Sequence, residues 1–189
     1  MDPMLLRIYQ QQVEYCCRAV LFGLEDIQSV GAADNGRLWY GAQNLITGAG
    51  NASKTLWGIG NSTQRKRRYA ERKPLRDSLS VDDDSPLRDI KIRNDYEHLD
   101  ERIERWWDES PNRNFIGAMI GPRGAVGGDS ITEIDTLRWL DPESGDVIFW
   151  GNQLHIPAVV REAQRILSIA DAESRKPHRE APSTSGGGQ

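Results

Sequence analysis

Ile92-Arg93-Asn94-Asp95-Tyr96-Glu97-His98-Leu99 lies inside a longer segment, Pro86 to Trp107, whose spacing predicts one helix. Ser85 before Pro86 suits a helix start. A Ser oxygen accepts an otherwise unpaired amide, and Pro has no amide to leave unpaired. Apolar residues then recur at Ile92, Tyr96, Leu99, Ile103 and Trp106, in steps of four and three, as one buried stripe requires. Arg93, Asn94 and His98 lie off that stripe. At about 100° per residue, Asn94 and His98 stand roughly 40° apart on a polar face, and Arg93 roughly 140° from His98. Only a long, curled Arg side chain would share a substrate with that His.

Upstream, the pattern is helical again. Leu5, Tyr9, Val13, Cys16, Val20, Leu24 and Ile27 repeat in threes and fours and predict a helix over Met4 to Val30. Gly31 to Gly36 reads as a polar connection, with a turn signal at Asp34-Asn35-Gly36. A second helix is predicted over Arg37 to Trp57, with Leu38, Ala42, Leu45, Ala49, Ala52 and Leu56 as its stripe. Gly48 and Gly50 each cost such a helix about 1 kcal/mol relative to Ala, so tight packing or room for a ligand must offset them. Asn51 and Lys54, three apart, can face a substrate groove together. The alternative is an interhelical hydrogen bond for Asn51 and solvent for Lys54.

Gln64 to Lys73 is the one strongly basic cluster, with Tyr69 embedded. Arg65 and Arg68 within it are candidate RNA-phosphate contacts, and a plain solvated face is the alternative. Pro74 to Leu79 restarts a short helix, and Val81 to Asp84 is an acidic link. Downstream of Trp107 the periodicity stops. Asp108 to Asn114 reads as a loop, Phe115 to Ile120 as a short strand, and Gly121 to Asp129 as a Gly-rich connection that lacks the flanking elements of a dinucleotide-binding turn. Thr136–Leu140 and Asp146–Trp150 predict a β-hairpin around Asp141-Pro142-Glu143-Ser144-Gly145, ended by Gly151-Asn152-Gln153. Ile156 to Ala170 predicts a last helix that packs with the hairpin on the bundle. His155, at their junction, suits a capping or surface role. From Ser174 the composition is low-complexity and predicts a disordered tail, 174–189. Residues 1–173 thus read as one domain: a mainly α helical bundle with a hairpin-helix extension over about 108–173.

Composition narrows the function classes. The 189 residues carry a formal net charge of −4, so no global basic field marks a nucleic-acid binder, and local clusters must carry that argument. The two cysteines, Cys16 and Cys17, are adjacent on a helical apolar pattern. They give neither a disulfide framework nor a zinc pattern and read as buried small hydrophobes. No signal peptide is visible, and no run of about 20 apolar residues offers a membrane span. A cytoplasmic protein is expected.

Arg93, Asn94 and His98, on the last long helix of a helical bundle, resemble the signature of the HEPN superfamily: Arg, a polar residue, then His after a gap of four to six. The resemblance covers roughly the first 107 residues. It implies a HEPN-like bundle, a homodimer in which two such helices build one composite site, and metal-independent RNA cleavage with no cofactor. It also implies a toxin or phage-defence role, restrained by a nucleotidyltransferase-like antitoxin partner. The residue types suit that chemistry. His moves a proton near neutral pH. Arg offers a fork that fits two phosphate oxygens. Asn94 can orient the ring or donate to phosphate. Arg93, His98 and Asn94 are therefore the candidate catalytic residues, with Lys54, Asn51, Arg65 and Arg68 as candidate substrate contacts. Trp106 and Trp107 offer apolar area for the bundle or the dimer. A metal enzyme built on Asp95, His98 and Glu101 is a rival. So is a non-catalytic module that only dimerises or binds nucleic acid or nucleotide, since fold does not give function.

Overall fold

The computed structural model describes residues 1–30, 34–122, 125–126 and 131–176. The chain is mainly helical with a small four-stranded sheet. Of the predicted tail 174–189, Ser174 instead ends the last helix, and residues 177–189, with parts of the Gly31–Gly36 and Gly121–Asp129 connections, lie outside the described residues.

The two helices that the periodicity predicts, α1 (Pro3–Val30) and α2 (Asn35–Trp57), pack as an antiparallel pair. Asp34 N-caps α2 by accepting the Arg37 amide at 3.0 Å. The pair packs closely through glycines. A Cβ on Gly23 would meet the Gly41 carbonyl and the Leu45 amide at 2.6 Å, and one on Gly48 would meet the Cys16 carbonyl at 2.9 Å. Cys16 and Cys17 are both free and buried, and burial pushes the Cys17 thiol up to about 12. Helices α3 (Ser62–Glu71) and α4 (Lys73–Ser78) follow. Buried Arg76 of α4 donates to the Leu56 carbonyl at 2.9 Å and so satisfies the C-terminal end of α2.

The segment predicted as one helix from Pro86 to Trp107 is two short helices, α5 (Ile92–Glu97) and α6 (Leu99–Glu109). Residues 86–91 are turns. The Ser85 hydroxyl accepts the Leu87 amide at 3.3 Å and donates to Glu162 at 2.8 Å, so it starts a turn rather than a helix. The break falls at His98, with φ −116° and ψ 43°. Helix α5 is anchored inward. Asp95, 1% exposed, pairs with Arg102 at 2.8 Å and accepts from Asn152 at 2.6 Å. Tyr96 stacks on Phe149 with ring centroids 3.9 Å apart. Helix α6 buries none of its residues fully, and Ile103 of the predicted stripe is exposed.

The sheet runs β1 (Met119–Ile120), β2 (Arg138–Asp141), β3 (Asp146–Phe149) and β4 (Asn152–His155), in that order. The predicted hairpin is β2–β3, and Gly145 supplies its positive φ of 73°. The predicted end of that hairpin is instead a second hairpin. Trp150 and Gly151 have φ of 49° and 79°, both positive as a tight two-residue turn needs, and β4 follows antiparallel to β3. Strand β1 covers only Met119–Ile120 of the predicted Phe115–Ile120 and pairs parallel with β2. Helix α7 (Ile156–Ser174) runs past the predicted Ala170. It buries Val159, Ala163, Ile166 and Ala170, and its far end meets α1 where Ser174 donates to Glu14 at 2.9 Å. His155 ends β4 with no capping bond. Its Nδ1 lies 2.8 Å from an Asp146 carboxylate oxygen. No helix among the described residues is long and apolar enough to cross a membrane.

Asp135, fully buried, ties the loop after α6 to the sheet. Burial alone would raise its pKa. Donation from the Ser110 hydroxyl, the Thr132 amide and hydroxyl, and the Trp106 indole outweighs that and holds the carboxyl below its ordinary range. A depressed folded-state pKa contributes stability that is complete above the unfolded value, near 3.8, and is lost as pH falls through the folded one. Urea unfolding is therefore expected to show stability falling below about pH 4, with a shallower fall in Asp135→Asn.

Candidate functional site

The loop Gly58–Asn61, helix α3, the end of α2 and the turn 86–91 surround a groove of about 480 Å³. Lys54, Arg65, Arg93 and Asn94, predicted from three separate stretches of sequence, all line it. Arg88 and Lys91 line it too, and three carboxylates pair within this set of five cations: Asp83 with Arg88 at 3.7 Å, Asp89 with Lys91 at 3.4 Å, and Glu97 with both Lys54 and Arg93. The groove concentrates positive charge in a chain that is acidic overall.

The wall is braced from beneath. Trp57 donates to Asp83 at 3.0 Å, and the Tyr69 hydroxyl donates to the same carboxylate. These two bonds hold Asp83 below the usual carboxylate range, with nearby Arg88 and Arg76 adding to the effect. The Ser53 hydroxyl donates to the Arg88 carbonyl at 2.8 Å and so fastens the turn to α2.

Arg93 reaches the groove across α2. A Cβ built on Gly50 would collide with the Arg93 Cδ, so the missing side chain is the seat of the Arg stem. That is what offsets the helix cost of this glycine. The Arg93 side chain is 13% exposed. Its Nη2 donates to a Glu97 oxygen at 2.5 Å, whereas its Nε and Nη1 are buried with no protein partner. The other Glu97 oxygen lies 3.4 Å from Lys54 Nζ. One carboxylate thus bridges two of the groove's cations.

The other predicted residues fall elsewhere. His98, at the α5–α6 break, does not line the groove. Its side chain is 56% exposed and its Nδ1 lies 3.0 Å from Glu101 Oε1. Asn51 is half-buried outside the groove; its backbone carbonyl accepts the Thr55 hydroxyl at 2.8 Å. Arg68 donates to the Ile59 carbonyl and covers Gly58, so it holds the loop rather than facing a ligand. The basic run divides again at Arg72, whose guanidinium lies 3.6 Å from the Tyr9 ring centroid. The rival metal set does not assemble. Asp95 is buried while His98 and Glu101 are exposed, and among the described residues no three His, Cys, Asp or Glu side chains gather as ligands would.

Sequence reasoning missed Arg88, Lys91 and Glu97. The i,i+4 spacing of Arg93 and Glu97 was a usable signal for that pair. Arg88 and Lys91 had none while their segment read as regular helix. Comparisons with family models, curated proteins and solved structures give no match to this chain.

Proposed function

We propose that this protein binds RNA along the cationic groove and, as a homodimer, cleaves it without a metal ion. The single observation behind this reading is Arg93: seated on Gly50, largely buried, and left with two nitrogens, Nε and Nη1, without a protein partner beside Lys54 and Asn94. In this reading the side chain turns outward to meet RNA and offers its N–H groups to non-bridging phosphate oxygens. In the proposed reaction a ribose 2′-hydroxyl attacks the adjacent phosphorus. The 5′-oxygen leaves, and His98 takes or returns a proton. Because His98 lies outside the groove of its own copy, the reading joins two copies with α5 and α6 near a two-fold axis, so that His98 of one serves Arg93 of the other. In this reading the protein acts in the cytoplasm as a toxin or phage-defence effector with a nucleotidyltransferase-like antitoxin.

Incubation with defined RNAs tests it. Cleavage is expected to give 2′,3′-cyclic phosphate ends, to continue in EDTA, and to spare DNA, which lacks the nucleophile. Loss of cleavage in EDTA would overturn the mechanism. A second reading, a non-catalytic RNA- or nucleotide-binding module, is favoured by one observation: His98 is turned to Glu101 and away from the groove. Tight RNA binding without cleavage would select it.

A further inference from the structure

Helix α1 exposes Met4, Ile8, Tyr15 and Phe22, which are 62%, 49%, 65% and 56% accessible. Their spacing of four, seven and seven keeps them on one stripe of a helix. On α2, Tyr40 is 75% accessible. The two stripes share a side. The pair is antiparallel and meets at Gly23 and Gly41. Two antiparallel helices are related by a two-fold axis perpendicular to both, so the residue just before each contact point, Phe22 and Tyr40, lies on the same face. Next to Tyr40 on that face of α2, Asn44 and Thr47 are exposed and uncharged; the stripe ends at Lys54, which pairs with Glu97 at 3.4 Å. Gln11 fills the gap between Ile8 and Tyr15 on α1, and it too is exposed and uncharged. Arg37 and Asp26, at the edge, neutralise one another at 3.4 Å.

We propose that this α1–α2 face is a self-association surface that packs against the same face of a second copy. The uncharged centre of the face carries the choice of partner. Charge sits only at its edge, where Arg18, paired with Glu14 at 2.9 Å, and exposed Glu25 flank Phe22. Interface centres are likewise depleted in charge and enriched in aromatic residues, and such a centre has nothing to repel its own image in a two-fold pair. The area also suffices. With aromatic side chains carrying roughly 150–250 Å² each, the five exposed residues offer on the order of 500 Å² per copy. A symmetric pair then buries on the order of 1,000 Å², the lower bound for a specific interface. The face lies about a quarter turn round α2 from Gly50, so it is distinct from the α5–α6 surface and does not depend on RNA being the ligand.

Light scattering on the full chain at micromolar concentration tests the proposal. Tyr15→Glu and Phe22→Glu are each expected to halve the wild-type mass with helical circular dichroism unchanged, and Tyr15→Phe to keep it. Tyr40→Glu, on the other helix, is expected to do the same and serves if an α1 variant loses its helical signal. A wild type with the mass of one chain, or glutamate variants that keep the wild-type mass, would overturn the proposal. Ile103→Glu separates the two self-association surfaces. If it alone halves the mass, copies meet through α6 and the α1–α2 face is not used.

Discussion

His98→Ala is expected to cut RNA cleavage by about 10²–10⁴, the usual worth of a general acid or base, while RNA affinity stays at the wild-type level. The split follows from geometry. In the proposed reading the groove cations bind the RNA, and His98 does not line the groove. Nor does the fold need this side chain, which is more than half exposed and bonded only to exposed Glu101. Arg93→Lys should instead reduce both affinity and rate, because an ammonium cannot make the bidentate contact. Filter binding and gel-resolved cleavage on the same RNA read the two effects separately. An unchanged cleavage rate in His98→Ala would remove the catalytic role and leave the binding module.

Asp95→Ala is expected to destabilise the fold by about 3 kcal/mol, because it strips a buried carboxylate from Arg102 and leaves the Asn152 amide without its acceptor. For a chain of this size that is a fall in Tm of roughly 6–12 °C. The same contacts dock α5 on β4, two residues from Arg93, so groove affinity should drop along with stability. Thermal unfolding followed by circular dichroism measures the first. A Tm within a degree or so of wild type would mean that the Asp95–Arg102–Asn152 cluster does not hold α5 in place.

Helices α1 and α2 were legible because seven and six apolar positions at helical period outweigh local noise; on α2 all six are buried, and on α1 Val13, Cys16 and Val20 are buried, Tyr9, Leu24 and Ile27 partly so, while Leu5 is exposed. The α5–α6 break was not. Apolar spacing continues through His98 without a stutter, while Asp95, off the apolar stripe, turns inward to Arg102 and Asn152. A pattern of apolar residues is blind to a buried carboxylate. Strand β4 was hidden for a different reason: its turn is Trp150-Gly151, and a bulky residue at positive φ is not a turn signal. At the site, Lys54, Arg65, Arg93 and Asn94 were found by residue type and spacing, and the groove brings them together. Asn51 was found by the same logic but lies outside the groove, and Arg68 answers to a neighbour that spacing cannot reveal, the Ile59 carbonyl.

Positions 50 and 93 behave as one unit of inheritance. A methyl group at 50 and a guanidinium stem at 93 compete for the same space, so either change alters what the other tolerates. Alanine at 50 should be harmless, even welcome to the helix, once 93 is itself trimmed to alanine, and harmful only while the arginine remains. Sequences related to this one would then carry a readable mark. Glycine in mid-helix persists where the arginine is in use and drifts to better helix formers where it has been abandoned. A residue with no side chain would report whether a distant one still works.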